Sequence, residues 1–168
     1  MSTSNSLTLY ATANPITITL TALGTNAARE STTISNLVNG FADAMVYMSM
    51  KMGWVSTTQS DNAIYVYAAG SDGNIFPSVD TSGTKLTGVD AAANTTPSQI
   101  ALLRVFSLAG LTANTVNLYI PSVAVGFGGT LPSYWNIVVD NHAVAFNGTA
   151  GTANFTCNYI GMYNQASY

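Results

Sequence analysis

Charge is what this sequence has least of. Charged residues make up 7% of its 168 positions, against about a quarter in an ordinary soluble domain. Thr, Ser, Asn and Gly take their place, and these hydrogen-bond without a large desolvation cost. A lone domain wetted on every side needs interspersed charges to stay dispersed. Surfaces that meet other proteins are the ones depleted of Lys, Glu and Asp. The composition therefore fits an exterior meant to be covered by protein. Arg29, Lys51, Lys85 and Arg104 are the whole basic complement of a chain with net charge -3. Four scattered cations cannot neutralise a run of phosphates, so no nucleic-acid partner is expected.

Catalytic and ligand groups are equally scarce. One cysteine, Cys157, rules out an intrachain disulfide, and it reads as a small buried hydrophobe in a strand. Zinc sites use several His or Cys, and His142 and Cys157 are the only two such residues. His142 follows Asp140-Asn141 and reads as a solvated hairpin residue. Asp72-Gly73-Asn74 reads as a turn, without the regularly spaced oxygens of a calcium loop. Gly126-Phe127-Gly128-Gly129 lacks the lysine and the following helix of a phosphate-binding loop. No serine stands in a nucleophile motif. The expectation is no enzyme, with no catalytic residue, metal or cofactor. No apolar run approaches the ~18 residues of a membrane span, and the N-terminal stretch lacks the basic and apolar segments of a signal peptide. No membrane partner is expected, and synthesis in the cytoplasm is.

What is there has a period of two. In Pro15-Ile-Thr-Ile-Thr-Leu-Thr21, Ile16, Ile18 and Leu20 point one way and the threonines the other. Thr115 to Ile120 repeats this with Val116, Leu118 and Ile120 inward. In Asn62 to Ala69, Ile64 and Val66 share one face and Tyr65 and Tyr67 the other, so both faces have reason to be covered. Further strands are expected in Asp43–Met52, Ile100–Leu108, Tyr134–Asn141, His142–Asn147 and Ala153–Tyr163. Ser78–Gln99 is weakly patterned and reads as a surface excursion. Ile34, Leu37, Val38 and Phe41 have helical spacing, but Asn36, Asn39 and Gly40 break it, which leaves a loop or one turn.

Eight or so short strands with no helix to cover a face imply a sheet packed on a sheet. The expected fold is all-β: a single β-sandwich over residues 15–168, jelly-roll-like or Greek-key, with little or no helix. Residues 1–14 are expected to form an extended N-terminal arm. Arg104 interrupts an apolar strand; inward it needs a carboxylate or carbonyl, outward its stem covers apolar surface, and a structural ion pair is the plainer expectation. The chain has nine tyrosines and two tryptophans, residue types that dominate protein–protein hot spots and also stack on sugars. The interface candidates are Arg104, Tyr65, Tyr67, Tyr119 and Tyr134.

Several stretches resemble one group of proteins. They are Ala27-Ala-Arg-Glu-Ser-Thr32 leading to Asn36 and Asp43-Ala44; Tyr65-Val-Tyr-Ala-Ala69 followed by Ser71-Asp-Gly73 and Phe76-Pro77; and Gly151-Thr-Ala-Asn-Phe-Thr-Cys-Asn-Tyr159. The most specific is Ser122 to Asn141, with Gly-Phe-Gly-Gly-Thr-Leu-Pro-Ser-Tyr-Trp-Asn at its centre. From about Pro15 to Tyr163 the chain resembles small virion proteins of tailed bacteriophages encoded among the head genes. The resemblance implies a capsid decoration (cement) protein: a β-sandwich on the capsid surface that forms a homo-oligomer, a trimer, and binds the major capsid protein. The alternatives are a tail or neck component and a carbohydrate-binding host-attachment module.

Overall fold

The computed structural model describes residues 5–9, 12–51, 62–77, 84–93, 100–109, 115–143 and 155–166. In chain order its strands are β1 Asn5–Leu9, β2 Asn14–Pro15, β3 Ala27–Glu30, β4 Ile34–Ser35, β5 Asp43–Lys51 and β6 Ala63–Ser71. They continue as β7 Ala91–Ala93, β8 Ala101–Ser107, β9 Thr115–Ile120, β10 Tyr134–Asn141 and β11 Phe155–Ala166. One 3-10 turn, Ala124–Phe127, is the helical element among the described residues.

The pairing is nested and antiparallel. β1 and β2 pair with β11, β3 and β4 with β10, β5 with β9, and β6 with β8. The chain is thus a long ribbon doubled back between β6 and β8. Successive ribbon segments alternate between two sheets: β1-β11-β5-β9 with β2, and β7-β3-β10-β6-β8 with β4. That arrangement is a jelly roll, the expected all-β sandwich.

Alternation explains which face each strand buries. β9 follows it residue by residue, with Val116, Leu118 and Ile120 buried and Thr115, Asn117 and Tyr119 exposed. Val46, Met48 and Met50 of β5 face Tyr159, Cys157 and Phe155 of β11 in register, on the inner side of their sheet. Opposite them stand Ile64, Val66 and Ala68 of β6 and Trp135, Ile137 and Val139 of β10. Trp135 meets Tyr159 edge-on at 5.5 Å, and Phe41 meets Tyr159 and Tyr163 at 6.4 and 4.9 Å. Phe41 fits only because β11 carries Gly161 beside it: a Cβ there would stand 2.5 Å from the ring.

Several expectations change. Ile16, Ile18 and Leu20 are buried and Thr17 and Thr19 exposed, as the alternation requires, but the ladder ends at Pro15. Beyond it the chain leaves the sheet edge: Thr17 O accepts from Thr32 N at 2.9 Å and Thr19 N donates to Asp90 at 3.0 Å, both partners belonging to the other sheet's side. The Ser78–Gln99 excursion is not wholly at the surface. Its described part, 84–93, lies over the outer face of the second sheet, where β7 extends β3 and Leu86 packs with Ala28, Ala69 and Val138 in a second small core. That is why β10 is buried on both faces from Trp135 to Asn141. The expected strand at His142–Asn147 is not formed at His142 and Ala143, and its remainder falls outside the described residues. β1, within the stretch expected to be an arm, lies along β11 as an edge strand. β3, which the sequence pattern did not single out, is the short strand that carries Arg29 and Glu30.

Candidate functional site

Among the described residues, Glu30, Asp43 and Asp140 are buried and Asp90 is partly so, which leaves the described exterior still poorer in charge. Glu30 is 1% exposed and accepts from Thr87 N, Thr87 Oγ1, Gly88 N and Asn136 Nδ2. Asp43 Oδ1 accepts from Ala44 N, Val123 N and Ala124 N at 2.7 to 3.0 Å, pinning the 3-10 turn to the start of β5. Asp140 is buried, with His142 Nε2 at 3.1 Å. Asp90 holds Arg29 Nε at 2.5 Å and the Thr19 hydroxyl and amide. Burial pushes its carboxyl upward, but Arg29 and Thr19 outweigh this and hold it below its ordinary value. Asp72 stays outside, its carboxylate lowered by the Ile75 and Asn74 amides that close its turn.

Four of the five interface candidates sit along one side of the sandwich, where β8 ends one sheet and β9 the other. β8 carries a bulge: Val66 and Tyr67 of β6 oppose Arg104 and Leu102, with Leu103 as the extra residue. The bulge puts Leu103 and Phe106 against the core and leaves Leu102 and Val105 50% and 43% exposed beside Tyr67 and Tyr65. Arg104 reaches from β8 to β9, donating from Nη1 to the Tyr119 carbonyl at 2.9 Å over the Phe106 ring. Its partner is a carbonyl, not the carboxylate of the plainer expectation. The bulge aims it across the gap between the sheets, at the backbone of the facing edge strand.

Tyr119 stacks on Tyr47 at 4.9 Å, and its hydroxyl donates to Met45 Sδ at 3.1 Å. Partial desolvation, then Tyr47, hold its phenol above the ordinary value. On the other outer face Tyr67 is raised by burial, then by Asp140 and Tyr65. Tyr65 packs edge-on against His142 at 4.9 Å. His142 is therefore held between Asp140 and Tyr65, half-buried, rather than solvated as expected.

Tyr134, the fifth candidate, lies apart. It begins β10 at the end of the sandwich where three loops meet. Asn36 N donates to Ser133 O, and Leu131 N to Ala42 O, joining two of those loops. Gly70, at the end of β6, brings the third against Pro132 and Phe127. This end exposes Leu37, Val38, Ile75 and Val125 at 60%, 94%, 70% and 66%. Pattern-based reasoning missed them, yet Leu37-Val38 enclosed by Asn36 and Asn39-Gly40 is a legible sign, since apolar residues inside a turn have no core to enter.

Chemically, these surfaces suit adhesion. Cys157 is buried on the inner face of β11, its thiol pushed up to about 12 by desolvation, so it stays protonated and inert. It lies on the opposite sheet from His142. Among the described residues no three His, Cys, Asp or Glu side chains gather to hold a metal. No protein-family model matches the chain, and no curated protein matches it in sequence.

Proposed function

We propose that this chain is a structural virion protein, a capsid decoration subunit that assembles as a symmetric homotrimer and seats on the shell of major capsid protein. One observation carries the reading. Of a small charge complement, Glu30, Asp43 and Asp140 are buried, so the outside offers neighbours apolar and uncharged polar contacts that cost little to desolvate. The open side with β8 is assigned to self-association, because a strand edge with no partner among the described residues, flanked by Leu102, Val105, Tyr65 and Tyr67, is a template for another copy. The loop end with Leu37, Val38, Ile75 and Val125 is assigned to the shell. Each contact is weak, and symmetric copies engaging together multiply it through avidity. The role is mechanical: the subunit clamps shell junctions against internal pressure. The test is the amount of this chain in purified virions relative to the major capsid protein. A copy number in step with the shell subunits supports decoration; a handful per particle would retire it in favour of a tail or neck component.

A further inference from the structure

We propose that a cleft at the loop end binds a neutral carbohydrate. The cleft has a volume of about 370 Å3 and lies between β4, the turn after β6, the 87–88 segment and the start of β10. Its described lining consists of four hydroxyl side chains (Thr33, Ser35, Thr87 and Tyr134), the Phe76 ring and the backbones of Gly73 and Gly88. The volume falls at the small end of the range for ligand sites, which fits one or two sugar rings.

The hydroxyls are arranged in two kinds. Thr33 Oγ1 donates to Gly88 O at 3.0 Å, and Thr87 Oγ1 donates to Glu30 at 2.7 Å. Each hydrogen is committed internally, so both oxygens turn acceptor lone pairs outward. Ser35 and Tyr134 supply hydroxyl donors. A set that both accepts and donates matches the vicinal hydroxyls of a sugar, each of which does both. The described lining carries no charged side chain, and Glu30 stands behind Thr87 and Gly88 with its oxygens occupied. Among the described lining residues an anionic ligand would find no cation. A wholly apolar ligand would strip four hydroxyls of water with nothing in exchange.

Glycine sets both aromatic walls. Gly88 has φ +72°, and a Cβ on it would collide with the Phe76 ring and Thr33 Oγ1. Gly73 has φ +96°, and a Cβ on it would lie 2.8 Å from the Tyr134 ring. Each ring thus rests directly on backbone and both line the cleft, where the C–H face of a sugar would stack on aromatic carbon. This site stands whether or not the chain decorates a particle.

The test is an NMR titration of the full chain with glucose, galactose, N-acetylglucosamine, lactose and chitobiose, with N-acetylneuraminic acid as the anionic comparison. For ligands this small, roughly millimolar affinity is expected for at least one of them. Its shifts should gather at residues 33–35, 73–76, 87–88 and 134. Tyr134→Phe, which keeps the ring, and Ser35→Ala should each weaken binding about threefold to tenfold, while leaving the rest of the spectrum in place. Phe76→Ala should abolish binding. No saturable shift with any of these sugars up to about 100 mM would overturn the proposal. So would shifts that map elsewhere, Tyr134→Phe and Ser35→Ala variants that bind as the parent does, or a preference for N-acetylneuraminic acid over its neutral counterparts.

Discussion

Replacing Glu30 by alanine should detach the 84–90 segment from the second sheet. The carboxylate is the shared acceptor for Thr87 N at 2.9 Å, Thr87 Oγ1 at 2.7 Å, Gly88 N at 3.1 Å and Asn136 Nδ2 at 3.2 Å. Without it the segment has two outcomes. If it stays, the buried Asn136 amide and the part-buried Thr87 and Gly88 donors lose their acceptor, at up to about 1–3 kcal/mol each. If it lifts, Thr87 and Gly88 recover water, but Leu86, 3% exposed, loses its burial against Val138 and Ala28, which costs about 1.5–3 kcal/mol. Lifting is the cheaper route, and it also uncovers Val138 on the same outer face of β10. Together these give a loss of about 3–5 kcal/mol. Glu30→Gln keeps one acceptor oxygen and should lose about 1.5–3 kcal/mol, the worth of a hydrogen bond to a charged group. Urea unfolding measures the loss, and hydrogen exchange at the Thr87 and Gly88 amides localises it. A loss under about 1 kcal/mol for Glu30→Ala, with those amides as slow as in the parent, would refute the reasoning.

Three further outcomes follow from the packing. Asp90 has a lowered folded pKa, so its contribution is complete above the ordinary value of 3.8 and is lost as pH falls through the folded value. Asp90→Asn should therefore cost about 1 kcal/mol at neutral pH, allowing for solvent screening, and nothing in strong acid; parallel urea titrations at both pH values check this. Gly161→Ala drives a methyl into the Phe41 ring and should destabilise by about 1–3 kcal/mol, the range for overpacking, with a matching fall in Tm. Leu102→Lys with Val105→Lys should leave the folded monomer intact, since both side chains are half exposed, and shift sedimentation from oligomer to monomer. Unchanged sedimentation would move the self-contact away from β8.

Sequence periodicity showed which side chains turn to the core wherever one face is core and the other water, as in β9 and at Ile16, Ile18 and Leu20, although the latter stretch leaves the ladder after Pro15. It also showed that both faces of β6 are at least partly buried, because tyrosines alternate there with aliphatic residues. It did not show the bulge at Leu103, where one added residue rotates Arg104 toward the other sheet and exposes Val105. Nor did it show the covering of β10: Leu86 is a lone apolar residue in a polar stretch, and its partner Val138 lies far along the chain. The tyrosines could be assigned to strand faces by parity. The cleft could not be anticipated, because Thr33, Gly73, Thr87 and Tyr134 meet only through strand pairing and loop crossing, which local pattern does not encode.

The proposed capsid role is decided by electron cryo-imaging of phage particles that contain the chain. A decoration subunit should appear there as density for this jelly roll, two sheets with β8 at a contact between copies, projecting from symmetric positions on the outer capsid shell. Density for it at the tail or neck alone, or a shell with no such projections in particles that contain the chain, would contradict it.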